Sequence, residues 1–90
     1  MYNILPYSYQ KARSLGVSIF PSKNKGKKID VYKGENFLFS IGSLGMGDYP
    51  TYLQTKGREY AEERRRLYHI RHKKDNIQGT RGYYAYHLLW

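Results

Sequence analysis

Tyrosine is by far the commonest aromatic residue of this chain, and it limits the kinds of core that the chain can form. The 90 residues include eleven tyrosines, three phenylalanines and one tryptophan. A tyrosine ring buries a large apolar area, but its hydroxyl needs a hydrogen-bond partner. We therefore expect a single domain, residues 1–90, with a core that depends on tyrosine. Either this core is partly hydrated, or tyrosine rings form an aromatic surface that a partner covers.

The absence of cysteine excludes disulfides and thiolate zinc sites, and it favours a reducing or redox-indifferent location. No apolar run approaches the ~20 residues that a membrane-spanning helix needs, so we expect no membrane span. The N-terminal segment 1–6 also lacks the charged region and the long apolar run of a signal peptide.

Positive charge dominates the composition. Lysine and arginine number 16 against 7 acidic residues, which gives a formal net charge of +9. Such an excess opposes folding slightly through self-repulsion, but it attracts phosphate groups and acidic protein surfaces. We therefore predict an acidic partner, either the surface of another protein or DNA or RNA; solubility alone is the alternative.

Three short strand-like runs dominate the first half of the chain. Before them, Ser8 is placed to cap a short helix that ends at Gly16. Polar segments that contain glycine separate the runs, which indicates an antiparallel meander with one buried face. The runs are Val17–Pro21, Lys28–Lys33 and Phe37–Ile41, with Phe37, Phe39 and Ile41 on one face.

The second half is typical of helices. The glycines of Gly42–Gly47 do not have the spacing of a phosphate loop, so this segment is predicted to be a connector. A short helix begins near Asp48, and a longer helix runs from Arg58 to about Lys74. The sequence thus predicts an α+β fold: a three-stranded antiparallel sheet packed with a short N-terminal helix and a longer basic C-terminal helix.

The longer helix has an unusually polar stripe on its core-facing side. On a wheel of ~100° per residue, Arg64 and Arg71 lie within this stripe, among tyrosine and aliphatic side chains. In one interpretation, which we favour, both arginines pass over tyrosine rings and pair with Asp48, Asp75 or the terminal carboxylate. In the other, they point into a groove that holds the phosphates or carboxylates of a partner.

Lysine and arginine are concentrated in two blocks, the first hairpin and the longer helix. The balance of charges is +6 from Lys11 to Lys33 and +5 from Lys56 to Lys74. The two blocks form one continuous face if the hairpin tip lies beside the helix, which the sequence leaves open. The predicted partner- or phosphate-binding residues are Lys23, Lys25, Lys27, Lys28, Arg65, Arg66, His69, Lys73 and Lys74.

No catalytic, metal or cofactor site is predicted. His69 and His72 lie three residues apart, but no cysteine and no third helical ligand accompany them, as zinc would require. The carboxylates are scattered and no nucleophile has an evident base, so we expect no enzyme activity, no cofactor and no small-molecule substrate. A chain of this size also leaves little room for a deep pocket.

The C-terminal segment is rich in aromatic side chains that are able to stack against a partner. We expect two or three of them to fold back and complete the core, and one or more to remain available. The predicted aromatic contacts are Tyr83, Tyr84 and Trp90.

Several short motifs follow one another in order through the second half of the chain. They are Gly42, Gly45-Met46-Gly47-Asp48-Tyr49, Glu63-Arg64-Arg65, Tyr68, Arg71-His72-Lys73-Lys74, Gly82 and Leu88-Leu89-Trp90. This series, over roughly residues 28–90, resembles a family of small basic proteins encoded by giant double-stranded DNA viruses. The chain differs from those relatives at Pro50, where they carry a hydroxyl residue, and they continue past Leu-Leu-Trp with a basic tail.

The resemblance implies an origin in a large DNA virus and carries no established activity with it. It leads us to expect a non-enzymatic structural protein, a minor capsid or other virion-associated component that binds acidic neighbours through a basic face. The expected location is the virion, and otherwise the host cytoplasm or nucleus. The alternative is a nucleic-acid-binding protein that contacts phosphates through the longer helix and the hairpin.

Overall fold

Helices and strands follow one another with short turns in a computed structural model, which describes residues 1–90. The α+β fold predicted from the sequence is confirmed. In chain order the elements are α1 (Pro6–Leu15), β1 (Ser18–Pro21), β2 (Lys27–Lys33), β3 (Asn36–Ser43), α2 (Tyr49–Thr55), α3 (Arg58–Arg71), a 3₁₀ turn (Lys73–Asp75) and α4 (Arg81–Leu88).

The three strands form one antiparallel sheet in the order β1-β2-β3, as the sequence predicted. Branched side chains at alternate positions of the central strand, Ile29 and Val31, are fully buried. Ile41 of β3 pairs with Ile29 and is buried with it. Alternation of apolar and polar residues along β2 therefore builds one core-facing side of the sheet.

Phe37 does not share the buried face that the sequence predicted for it. Val31 pairs with Phe39, but the next residue of β2, Tyr32, pairs with Phe37, so Leu38 is the extra residue of an irregular register. The shift leaves the Phe37 side chain about half exposed, and its ring packs edge-on against Tyr32 at 5.5 Å.

Helix α1 begins at Pro6, where a fixed φ and a missing N–H suit a first turn. It ends at Gly16, which has φ 72°, as the sequence predicted. Ser8 is not the cap, because Leu5 occupies that position. The Ser8 hydroxyl instead donates a 2.6 Å hydrogen bond to the carbonyl of Leu88, which ties α1 to the C-terminal helix.

The core is aliphatic, so the prediction of a core that depends on tyrosine is wrong. Helices α1 and α4 cover the apolar side of the sheet. Only Tyr49 and Tyr84 of the eleven tyrosines are buried. A phenolic hydroxyl is easier to satisfy at the edge of a core than inside it, and the other nine tyrosines are half-buried or exposed. The core cluster consists of Ile4, Ala12, Val17, Ile19, Ile29, Val31, Ile41, Tyr84, Leu88 and Leu89.

The C-terminal segment folds back onto the sheet, which confirms the prediction for its aromatic residues. The Thr80 hydroxyl caps α4 by accepting a hydrogen bond from the N–H of Tyr83. Tyr84 belongs to the core cluster, and Tyr83 and Trp90 pack against that cluster.

Helices α2 and α3 pack against each other. Asp48 caps α2 through a 2.9 Å hydrogen bond from the N–H of Thr51, and Gly57, with φ 91°, separates the two helices. Helix α3 ends at Arg71 and not at Lys74, because the chain tightens into the 3₁₀ turn. No helix is long and apolar enough to cross a lipid bilayer.

Candidate anion-binding site

The partners of the acidic side chains determine which cations remain uncompensated, because only seven acidic side chains face sixteen lysines and arginines. Three lysines and arginines are ion-paired, and the other thirteen are not. The three pairs are Lys28–Asp48, Arg65–Glu62 and Arg66–Glu63. His72 contacts Asp75, with its Nδ1 2.8 Å from Oδ2.

Lys28 is buried, although the sequence placed it on the outward basic face. Its Nζ lies 2.7 Å from Oδ2 of Asp48, and the side chains of both residues are almost fully buried. The Tyr2 hydroxyl donates to the same oxygen at 2.8 Å. Burial opposes charge on Asp48, but hydrogen bonds from Lys28 and Thr51 outweigh it and lower the pKa of the carboxyl. Lys28 therefore holds the fold together and is not free to bind a partner alone.

A second buried carboxylate, Asp30, is satisfied by hydrogen bonds without a cation. The hydroxyls of Ser22 and Ser40 each donate to Oδ1 at 2.6 Å, and the N–H of Lys23 donates to Oδ2 at 3.3 Å. The amide of Asn24 donates to the Ser40 hydroxyl. Burial would raise the pKa of Asp30, but these hydrogen bonds lower it overall. This network joins the β1–β2 connection to the central and third strands.

Arg65 and Arg66 offer a partner less uncompensated charge than the sequence predicted. Arg65 lies 3.0 Å from Glu62 and Arg66 lies 2.6 Å from Glu63, each three residues apart on the same face of α3. The guanidinium carbon of Arg65 also lies 4.1 Å from the centroid of the Tyr49 ring. Both arginines are thus engaged on the helix that carries them.

A cavity of about 330 Å³ lies between α3, the end of the sheet, the glycine-rich connector and the C-terminal residues. Arg64, Arg71, Lys28 and His72 line it, and no aspartate or glutamate side chain does. We call it the arginine cavity. The small size of the chain predicted little room for a deep pocket, and this cavity forms between elements and not within the small core.

Neither Arg64 nor Arg71 forms the ion pair that the favoured interpretation predicted. Two of the expected partners are already occupied, Asp48 by Lys28 and Asp75 by His72. The Nε of Arg64 is enclosed by the protein and has no hydrogen-bond partner. The Arg64 guanidinium does lie over the Tyr52 ring, so the predicted contact with a tyrosine is confirmed for Arg64 and the predicted ion pairing is wrong. Both arginines also line a groove, as in the second interpretation.

Aromatic rings form one wall of the arginine cavity. The Tyr68 ring lies between two parallel rings, Trp90 at 4.4 Å and 7° and His72 at 4.1 Å and 21°. Tyr52 packs against Trp90 at 6.1 Å, and the Arg64 guanidinium carbon lies 5.9 Å from the centroid of the Tyr52 ring. These stacked rings hold the cationic side chains of the cavity beside a stiff apolar surface.

The glycine-rich connector allows these walls to approach each other. A β-carbon at Gly47 would clash with the ring of Tyr52, and one at Gly42 would lie 2.7 Å from Cδ1 of Leu89. The connector was predicted to be a turn without a phosphate-loop pattern, and in the structure it contributes backbone to the cavity.

A second cationic feature lies at the C-terminal end of α3. Ile70, Arg71, Lys73 and Lys74 line an open cleft, which we call the basic cleft, and all four residues are exposed. No carboxylate lines it. Lys73 and Lys74 were predicted binding residues, and the structure brings them together with Arg71. Their charges also complement the negative end of the helix dipole.

The lysines of the first hairpin lie elsewhere. Lys23 and Lys25 are exposed and Lys27 is half-buried, and none of them lines the arginine cavity or the basic cleft. The two basic blocks of the sequence therefore meet only through Lys28, which lines the arginine cavity together with Arg64 and Arg71.

His69 and the C-terminal aromatic residues are only partly available. His69 stacks on Tyr86 at 4.3 Å, and burial together with the charge of Arg65 lowers its pKa, so its ring is neutral near pH 7 and attracts phosphate weakly. Tyr84 is buried, which removes it from the predicted contacts. Tyr83 is half-buried, and Trp90 is the predicted aromatic residue that lines the cavity.

One sequence signal did indicate the cavity. Arg64 and Arg71 lie seven residues apart, two turns of one helix, within an otherwise apolar stripe. No comparable signal indicated Tyr52 or Gly47, because their place in the cavity depends on contacts between distant segments.

This α+β domain with its cationic cavity was compared with known proteins, and no protein-family model, curated protein or solved structure matches the chain. No group of three or more His, Cys, Asp and Glu side chains is arranged to hold a metal ion.

Proposed function

We propose that this protein is a non-enzymatic binding protein that attaches to an acidic segment of a neighbouring protein through the basic cleft. The observation that supports it is the free charge at the C-terminal end of α3. Arg71, Lys73 and Lys74 are exposed, share one cleft and have no carboxylate partner. Exposed Ile70 in the same cleft gives an acidic segment an apolar contact beside its ionic ones.

The resemblance of the motif series to small basic proteins of giant viruses supports a setting for this binding. In that setting the protein is a minor capsid or other virion-associated component, and its acidic partners are other virion proteins. Such a role needs a stable small domain with a charged attachment surface and needs no catalytic site.

Cross-linking in purified particles tests this role. We expect mass spectrometry to find the chain in the particles, with cross-links from Lys73 and Lys74 to a protein segment rich in Asp and Glu. Cross-links from Lys23 and Lys25 in the same particles are the internal comparison. Absence of the chain from the particles, or release with the genome alone, would contradict a role in the shell.

A nucleic-acid-binding protein is the second candidate, and the aromatic wall beside free arginines favours it. Stacked rings next to cations are the features that bind single-stranded nucleic acid. Titration with DNA at several salt concentrations distinguishes the two candidates, because each phosphate that a protein neutralises steepens the loss of affinity with salt. Weak binding that does not change with salt would exclude this candidate.

A further inference from the structure

The arginine cavity shares Arg71 with the basic cleft, but its other lining residues are different. The charge of the cavity can be assigned group by group. Lys28 is compensated by Asp48 at 2.7 Å, and His72 contacts Asp75 at 2.8 Å. Arg64 and Arg71 remain, and neither has an ion-pair partner. The cavity therefore presents two guanidinium groups, and no aspartate or glutamate side chain lines it.

Arg64 brings an uncompensated cation to this cavity. Its Nε is enclosed by the protein and has no hydrogen-bond partner, and no ion pair uses its guanidinium. Arg64 nevertheless lines the cavity, so a ligand meets its accessible guanidinium atoms and not the enclosed Nε. A planar guanidinium suits the oxygens of a phosphate or a carboxylate.

Charge and volume together select among anionic ligands. A phosphate monoester carries a charge of about −1.5 to −2 at pH 7 and so matches two guanidiniums, whereas a carboxylate carries one charge. The volume of about 330 Å³ holds roughly ten waters at ~30 Å³ each, far more than a phosphate group fills. The rest of the ligand meets the rings of Tyr52 and Trp90, which favours a planar group with a π face, such as a nucleobase.

We propose that the arginine cavity binds a nucleoside monophosphate, free or as the 5′ end of a nucleic acid, with its phosphate on Arg64 and Arg71 and its base against the aromatic wall. This inference goes beyond the proposed function. The two sites share Arg71, but nucleotide binding depends on Arg64 and the ring wall, whereas the basic cleft depends on Lys73 and Lys74. Binding is non-covalent, so no covalent bond is made or broken.

The fluorescence of Trp90 is a direct probe of this cavity, because it is the only tryptophan of the chain and lines the wall. We expect adenosine monophosphate to change Trp90 emission saturably, with the affinity confirmed by calorimetry. Adenosine and inorganic phosphate should each bind at least tenfold more weakly. A 5′-phosphorylated oligonucleotide that binds more tightly than its 5′-hydroxyl counterpart identifies the strand end as an additional source of the ligand.

Variants locate the binding site. We expect Arg64→Gln and Arg71→Gln each to weaken binding by about 10- to 100-fold, the effect of removing a charge-assisted hydrogen bond. Arg66→Gln is the matched control, since it removes one arginine charge from the same helix and should leave affinity within twofold. Circular dichroism shows which variants fold. If Arg64→Gln does not fold, Arg71→Gln still tests the inference, because Arg71 is exposed and its substitution should leave the fold intact.

Three results would overturn the inference. They are no nucleotide binding at millimolar concentration, equal binding of adenosine monophosphate and phosphotyrosine, and nucleotide binding that survives both arginine variants. Loss of nucleotide binding in a Lys73→Glu, Lys74→Glu variant alone would place the contact in the basic cleft and also overturn it. Binding of an acidic protein segment is measured separately, so the proposed function can stand or fall on its own.

Discussion

At the scale of single residues, three acidic side chains determine which cations of the predicted binding set are compensated. Asp48 pairs with Lys28, and Glu62 and Glu63 pair with Arg65 and Arg66. These basic residues, which the sequence placed on an outward surface, are therefore compensated within the protein. Arg64 and Arg71 of the apolar stripe, for which the sequence favoured a structural role, have no ion-pair partner.

The buried pair of Lys28 and Asp48 should be a major source of stability once formed. We expect Lys28→Met to reduce the free energy of unfolding by about 3–5 kcal/mol, because it leaves the Asp48 carboxylate buried without its cation. Asp48→Asn keeps a good helix cap, so its effect reports mainly the lost charge. Urea unfolding of both single variants and the double variant measures the coupling.

In that cycle the double variant should lose clearly less than the sum of the two single losses. Additive losses would mean that the two side chains do not stabilise the fold as a pair.

Asp30 and Asp48 should make stability depend on pH in the acid range. Both have a folded-state pKa below the ordinary value of 3.8, so below that value the unfolded chain binds more protons than the folded chain. Their stabilising contribution is complete well above pH 4 and is lost as the pH falls through the folded pKa. The urea midpoint of unfolding should decrease progressively from pH 5 to pH 2. In the Asp30→Asn variant the midpoint should decrease less over the same range. A constant midpoint over this range would contradict the assignment.

At the scale of elements, the glycine-rich connector allows neighbouring side chains to pack directly against its backbone at specific positions. Gly42 has φ 77° and has Leu89 and Lys28 directly beside it, whereas Gly45 has open space and no positive φ. We expect Gly42→Ala to destabilise the fold by about 2–4 kcal/mol through backbone strain and overpacking. Gly45→Ala is the matched control and should change stability by less than about 0.5 kcal/mol. Thermal unfolding compares them, and equal effects would refute the packing described for Gly42.

Local sequence patterns predicted the elements better than they predicted their contacts. Alternation in β2, the αL glycine after α1 and the acidic cap of α2 each depend on neighbouring residues, and all three were predictable. The bulge that exposes Phe37 and the hydrogen bond from Ser8 to Leu88 depend on partners far along the chain. Such partners are set by packing, which no local pattern specifies.

At the scale of the whole molecule, the two basic blocks of the sequence are two different surfaces. The net charge led us to expect an acidic partner, and the sequence gives the positions of the two basic blocks along the chain. It could not predict that Lys28 turns inward or that Arg64 and Arg71 share a cavity with Trp90, because these arrangements bring together β2, α3 and the C-terminus. Unpaired cations that share a cleft or cavity are consequently found at the C-terminal end of α3, whereas Lys23 and Lys25 of the hairpin lie elsewhere.

The most direct test compares two pairs of charge reversals that change the net charge equally. Lys73→Glu with Lys74→Glu, and Lys23→Glu with Lys25→Glu, each lower the formal net charge from +9 to +5. Fluorescence anisotropy of a labelled polyglutamate peptide measures the affinity of both variants. We predict that the first pair weakens binding at least tenfold, about 1.4 kcal/mol, while the hairpin pair stays within threefold of the unmodified protein. Equal weakening by both pairs would show that net charge, and not the basic cleft, holds the acidic partner.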